Sequence, residues 1–144
     1  MIGAGHCNHE QYQTALQLGQ EIARAGAVLV CGGMDGVMKA AAEGCRLAGG
    51  TSLGIIPGTD KSTANEFHDY VIATGFGEAR NLVIIRTADV VIALPGQYGT
   101  LSEIGFALKM SKPVISLGSW DVSEDIRSAQ TPKEAVRLAL KAIQ

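Results

Sequence analysis

Apolar residues come in short bursts along this chain, each cut off by glycine or proline, with longer helically patterned stretches between them. Ala27-Val-Leu-Val-Cys31, Thr51-Ser-Leu-Gly-Ile-Ile56, Asp69-Tyr-Val-Ile-Ala-Thr74, Asp89-Val-Val-Ile-Ala-Leu94 and Val114-Ile-Ser-Leu117 are β-rich runs. Near-continuous apolar runs of this length are the mark of strands buried on both faces. Gly32-Gly33, Pro57-Gly58, Gly75-Phe-Gly77 and Pro95-Gly96 stop four of them, and Val114–Leu117 reads as the last strand.

The intervening stretches carry helix signals. Asn8 with Gln11 makes a capping box ahead of the apolar face Tyr12, Leu16, Ile22 and Ala23. A small-residue helix runs from Gly36 through Met38, Ala41, Ala42, Cys45 and Ala48 to Gly49-Gly50. Thr131-Pro-Lys-Glu134 supplies a cap, a proline at N1 and a glutamate at N3 for a final amphipathic helix. Glu78 to Ala88 is ambiguous, because Leu82 to Ile85 has strand propensity while Ala79, Leu82, Val83 and Arg86 share a helical face. Parallel strands on either side need a crossover, which decides for helix. Thr59 to Glu66 reads as a loop with room for a short helical turn, and is expected to form part of a pocket wall.

Strand and helix alternate from end to end with no repeat, linker or low-complexity tract, which predicts one three-layer α/β domain over residues 1–144. Its sheet is expected to be open and mainly parallel, with helices on both faces. Met1-Ile2 leaves almost no first strand before Gly3-Ala-Gly-His6. Either that strand is a stub or the native chain begins upstream.

Composition narrows the function classes. Eighteen glycines suit many tight turns, and a net charge of −2 with acids and bases interspersed excludes a polyanion-binding stripe. No nucleic-acid or membrane partner is expected, since no apolar run approaches the ~18 residues that span a bilayer. Cys7, Cys31 and Cys45 are scattered, odd in number and without C-x-x-C spacing, so they read as reduced thiols of a cytoplasmic protein. His6, Cys7 and His9 cluster, but no second ligand pair answers them and no metal site is expected.

The chemistry concentrates in Asp89 to Glu103, a buried strand, a glycine turn and a helix start. In open α/β sheets, ligands bind at such junctions, where glycine admits backbone N–H groups to an anion and the helix dipole favours negative charge. Two readings of Glu103 stay open: a capping box with Thr100, or a carboxylate working on a bound phosphosugar. Gly3-x-Gly5 is a weak dinucleotide signal, because Asn8 replaces the third glycine and Gly32-Gly33 stands where an NAD site wants an acid. Arg80, by spacing alone, is an exposed helix arginine.

Three stretches together resemble the LOG-like, or lysine-decarboxylase-like, Rossmann superfamily. They are Cys31-Gly-Gly-Met-Asp-Gly-Val-Met38 with Gly54-Ile-Ile-Pro57, Ala79-Arg80-Asn81, and Leu94-Pro-Gly-Gln-Tyr-Gly-Thr-Leu-Ser-Glu103. Gly99 to Lys109 followed by Lys112-Pro-Val114 looks closest to the molybdenum-cofactor carrier-like subgroup. The resemblance implies a Rossmann-like sheet, a small phosphorylated ligand, and a homodimer or dimer-based oligomer. It implies either nucleoside 5′-monophosphate phosphoribohydrolase-like activity, releasing base and ribose 5-phosphate, or a non-catalytic molybdenum-cofactor carrier. No cofactor is required for hydrolysis, a bound molybdenum cofactor or nucleotide is compatible with the site, and lysine decarboxylation is not implied.

Carried over by residue, Arg80 and Glu103 become the catalytic candidates. Gly5, Gly32, Gly33, Met34, Gly36, Pro95, Gly96, Gln97, Tyr98, Gly99 and Thr100 become the ligand- and phosphate-binding candidates. Gln97 stands where the family pattern has its second glycine, and Asn81 where the hydrolases usually carry lysine. Both departures weaken hydrolysis more than phosphate binding.

Overall fold

Two parallel three-stranded sheets are joined edge to edge through the first two residues of the chain in this computed structural model, which describes residues 1–144. One sheet holds β1 (Leu29–Cys31), β2 (Ser52–Ile56) and β3 (Tyr70–Ala73) in that order. The other holds β4 (Val91–Ala93), β5 (Val114–Ser116) and β6 (Ile126–Ser128). Ile2 makes a parallel bridge to Ala93, donating to Ile92 O at 3.0 Å and accepting from Leu94 N at 2.9 Å. On its other flank the N-terminal ammonium donates to Val30 O at 2.8 Å. Met1-Ile2 therefore lies between β1 and β4, and the strand order reverses about it. Every strand pair is parallel, giving the Rossmann-like architecture the alternation predicts.

Val114 to Leu117 is not the last strand. Ile126–Ser128 adds β6, with Ile126 in register with Val114. Only Ile126 of its three residues is buried, so the edge strand lacks the apolar run that announces the others.

Helices cover both faces. α1 (His9–Arg24), α2 (Val37–Leu47) and α5 (Pro132–Ala142) close one core with β1 and β5 residues such as Leu29 and Ile115. α3 (Arg80–Thr87) and α4 (Tyr98–Lys109) close the other through Ile84, Ile85, Ile104 and Ala107. The ambiguous segment is thus helix, entered through a 3-10 turn at Gly77–Ala79. At α1 the capping box is complete: Asn8 Oδ1 accepts from Gln11 N at 2.8 Å, and Gln11 Oε1 accepts from Asn8 N at 3.0 Å. Thr131 caps α5, accepting from Glu134 N at 3.2 Å. No helix is long and apolar enough to cross a membrane.

Candidate functional site

Where Met1-Ile2, β1 and β4 end, the chain turns on glycine each time, and the three turns face one another across a pocket of about 420 Å³. Gly3 to His6 forms one side, Gly32, Met34 and Met38 a second, and Gln97, Gly99, Thr100 and Glu103 a third. Arg80 and Asn81 close it from the start of α3. The convergence lies where strand order reverses, the place where open α/β sheets bind ligands.

The turns require glycine for contact reasons. A β-carbon on Gly3 would lie 2.5 Å from Val37 Cγ2, and one on Gly96 would lie 2.0 Å from Thr100 Oγ1. Gly36 has φ +63°, a left-handed conformation that glycine adopts freely, and its Cα packs under the Ala4 and Gly5 backbone.

Eight expected residues line the pocket: Arg80, Glu103, Gly5, Gly32, Met34, Gln97, Gly99 and Thr100. Gly33, Gly36, Pro95, Gly96 and Tyr98 do not line it, but shape the turns or stand outside them. Tyr98 is 79% exposed and stacks on Trp120. Ile2, Gly3, Ala4, His6, Met38 and Asn81 also line the pocket and are not among the binding candidates, although Gly3, Met38 and Asn81 fall within the quoted motifs. The signals that could have found them are the glycine turn after the stub, the first turn of α2 and the neighbour of Arg80.

Two expectations are corrected. Thr59 to Glu66 does not wall the pocket. It braces the wall from behind, with Asn65 N donating to Gly33 O at 2.9 Å and Asn65 Nδ2 to Met34 O at 2.8 Å. Nor do Thr100 and Glu103 form a capping box. α4 already begins at Tyr98, its N-cap is Gln97, and no side chain caps it. The Pro95-Gly96 turn brings the backbone into helical geometry three residues early, which places Thr100 and Glu103 on the buried side. Their exposures are 4% and 6%. The first N–H groups of α4 therefore lack side-chain partners at the pocket edge, a ready anion site.

Burial raises the Glu103 carboxyl to about 7, with Arg80 and the N-terminal ammonium pulling it down without offsetting that cost. Burial also lowers Arg80, while Glu103 and Cys31 raise it. The two form no ion pair within 4.0 Å; the direct pairs are Arg24–Glu21, Lys39–Glu66 and Arg137–Glu134. Arg80 Nε is buried without a hydrogen-bond partner. A buried donor without a partner asks for an explanation, and the residue that carries it lines the pocket. The arrangement can hold an anion at α4, offer Arg80 donors to it, and present Glu103 near neutral pH as acceptor or donor.

Residues 1–142 match the model of the SLOG cluster4 family. An uncharacterized protein of Archaeoglobus fulgidus is 44% identical over 142 residues, 99% of this chain and 93% of that one. A cytokinin riboside 5′-monophosphate phosphoribohydrolase of Mycobacterium tuberculosis is 30% identical over 83% of this chain and 68% of the enzyme. One of Arabidopsis thaliana is 41% identical over 62% of this chain, which spans only 41% of that enzyme's length. Among solved structures, the molybdenum cofactor binding protein of Rippkaea orientalis superposes with a TM-score of 0.91 at 35% identity, covering 99% of this chain and 93% of that chain. The molybdenum cofactor carrier protein of Chlamydomonas reinhardtii gives a TM-score of 0.86 at 29% identity, covering 99% and 94%.

Proposed function

The chain belongs to the SLOG cluster4 family, and from that premise we propose that it carries a small phosphorylated ring compound in the pocket above β1 and β4. The phosphate rests on the uncapped start of α4 and takes donors from Arg80; the ring system lies toward Met38 and Glu103. The molybdenum cofactor, a pterin bearing a phosphate and a metal-binding dithiolene, is the cargo we infer. The pocket-lining Arg80 cation suits its phosphate, and a protonated Glu103 suits the polar edge of its pterin.

One observation carries this reading over hydrolysis: the likeness to molybdenum-cofactor proteins runs over 99% of this chain and over more than nine-tenths of theirs. Cleaving an N-glycosidic bond builds positive charge on the ribose, which an ionised carboxylate stabilises. A phosphate dianion bound nearby raises Glu103 further, because like charges disfavour ionisation. With ligand in place the side chain is then held more fully protonated, an acid that donates a hydrogen bond to a bound ring.

Phosphoribohydrolase activity is the second reading, favoured by Arg80 and Glu103 sharing one pocket and by the likeness to enzymes of that name. In it, the neutral Glu103 protonates the departing base as a general acid. The two separate in one experiment. Purified protein is incubated with a panel of nucleoside monophosphates and assayed for free base, while molybdopterin retention is followed by pterin fluorescence after gel filtration. The carrier reading expects retained pterin and no free base. Base release that disappears in Glu103→Gln overturns it in favour of hydrolysis.

A further inference from the structure

The turn that presents the N–H groups of α4 is held from outside the pocket by a residue of the β5–β6 connection. Trp120 Nε1 donates to Gly96 O at 3.0 Å. The neighbouring carbonyl, Pro95 O, accepts from Ala4 N at 3.1 Å. Both carbonyls of the Pro95-Gly96 turn are thus occupied by donors. In a planar trans peptide the C=O and the following N–H point in opposite directions. Fixing Gly96 O toward Trp120 therefore aims the Gln97 N–H away from Trp120. Gln97 lines the pocket and Trp120 does not, so that N–H is turned toward the ligand side.

The connection itself is anchored. Leu117 N donates to Ala93 O at 2.9 Å and Ser119 N to Ser116 Oγ at 3.1 Å. Tyr98, the first residue of α4, stacks on the indole with ring centroids 6.3 Å apart and an interplanar angle of 27°. The indole thus holds the turn by its N–H and the first helical residue by its face. Trp120 also packs against the second core, and these two contacts go beyond core filling.

We propose that Trp120 is a positioning residue for anion binding, holding the Gly96–Gln97 peptide in the orientation that receives a phosphate. This rests on the phosphorylated-ligand reading above. Trp120 reaches no ligand itself in this scheme; it acts through the peptide it grips.

The test uses the full chain, with AMP and adenosine as calorimetric probes that differ only in phosphate. Trp120→Phe removes the donor and keeps an aromatic face for Tyr98. AMP affinity is expected to fall about tenfold, the worth of one well-placed hydrogen bond, with adenosine affinity unchanged. Unchanged AMP affinity, or equal losses for AMP and adenosine, overturns the proposal, since a merely structural role moves both probes together. Because Trp120 is the chain's one tryptophan, benzothienylalanine incorporated in its place removes the N–H with almost no change of shape, and serves if Trp120→Phe does not fold. The same outcomes apply to it. Wild-type protein that binds AMP no better than adenosine overturns the phosphate reading and this proposal together. Wild-type preference for AMP that survives both replacements overturns only the role of Trp120.

Discussion

Gly32 and Arg80 are so close that a β-carbon on Gly32 would lie 1.9 Å from Arg80 Nη1 and 2.9 Å from its Cζ. The glycine at the end of β1 is the floor on which the guanidinium lies. Gly32→Ala is expected to leave the fold standing, because the atoms it displaces are the far ends of Arg80 and Met38. AMP affinity should fall at least about tenfold, because Arg80 is pushed off its seat and can no longer make a charge-assisted hydrogen bond to the phosphate. Calorimetry on the folded variant checks this; unchanged affinity would place the phosphate elsewhere.

Glu103 makes stability depend on pH with a definite sign. Its folded pKa, about 7, lies above the ordinary carboxyl value of 4.5, so the folded state holds the proton more tightly. Stability is fully present below about pH 4.5, falls as pH rises and is lost through about pH 7. The shift corresponds to about 3 kcal/mol. Glu103→Gln removes this slope, so the variant should gain on wild type between pH 5 and pH 8 by on the order of 2–3 kcal/mol. Urea melts at both pH values check it, and a pH-independent difference would contradict the buried, near-neutral carboxyl.

Helices α1 and α2 touch backbone to backbone through glycine. A β-carbon on Gly44 would lie 1.9 Å from Leu16 O, and one on Gly19 would lie 2.0 Å from Ala41 O. Backbone cannot swing aside as a side-chain tip can. Gly44→Ala should therefore cost about 3 kcal/mol or more while the folded fraction keeps its AMP affinity. A melting temperature within a degree or two of wild type would refute this packing.

The outer surface of α3 and α4 carries Phe106, 36% exposed, with Leu82, Val83 and Met110 only half-covered. We expect this surface to pair two copies of the chain into a dimer. Phe106→Asp should shift sedimentation at tens of micromolar from dimer to monomer. A wild-type monomer at that concentration would count against the pairing, since stable interfaces of standard size persist there.

Much of the architecture could be read locally, because strand and helix signals are nearest-neighbour facts. The apolar runs ending at Cys31, Ile56 and Leu94 marked their strands, and Asn8 and Thr131 marked helix starts that the structure places at His9 and Pro132. Asp89 to Glu103 disclosed a strand, a turn and a helix whose glycines shape the pocket edge. Ile126–Ser128 escaped because an edge strand with one buried residue leaves no periodic trace.

Relations between elements belong to the tertiary structure. Thr100-x-x-Glu103 is compatible with a cap as a string of residues; only the early entry of α4 and the packing of α3 beside it turn Glu103 inward to 6% exposure. The same burial raises its pKa to about 7, so its partial protonation at neutral pH is a property of the fold rather than of the motif. Arg80 reads as a surface arginine until the crossover carries it over Gly32, far away along the chain. Trp120 meets Gly96 only because β5 lies beside β4. Spacing along the chain encodes period and capping, whereas desolvation and contact depend on which distant segments the sheet brings side by side.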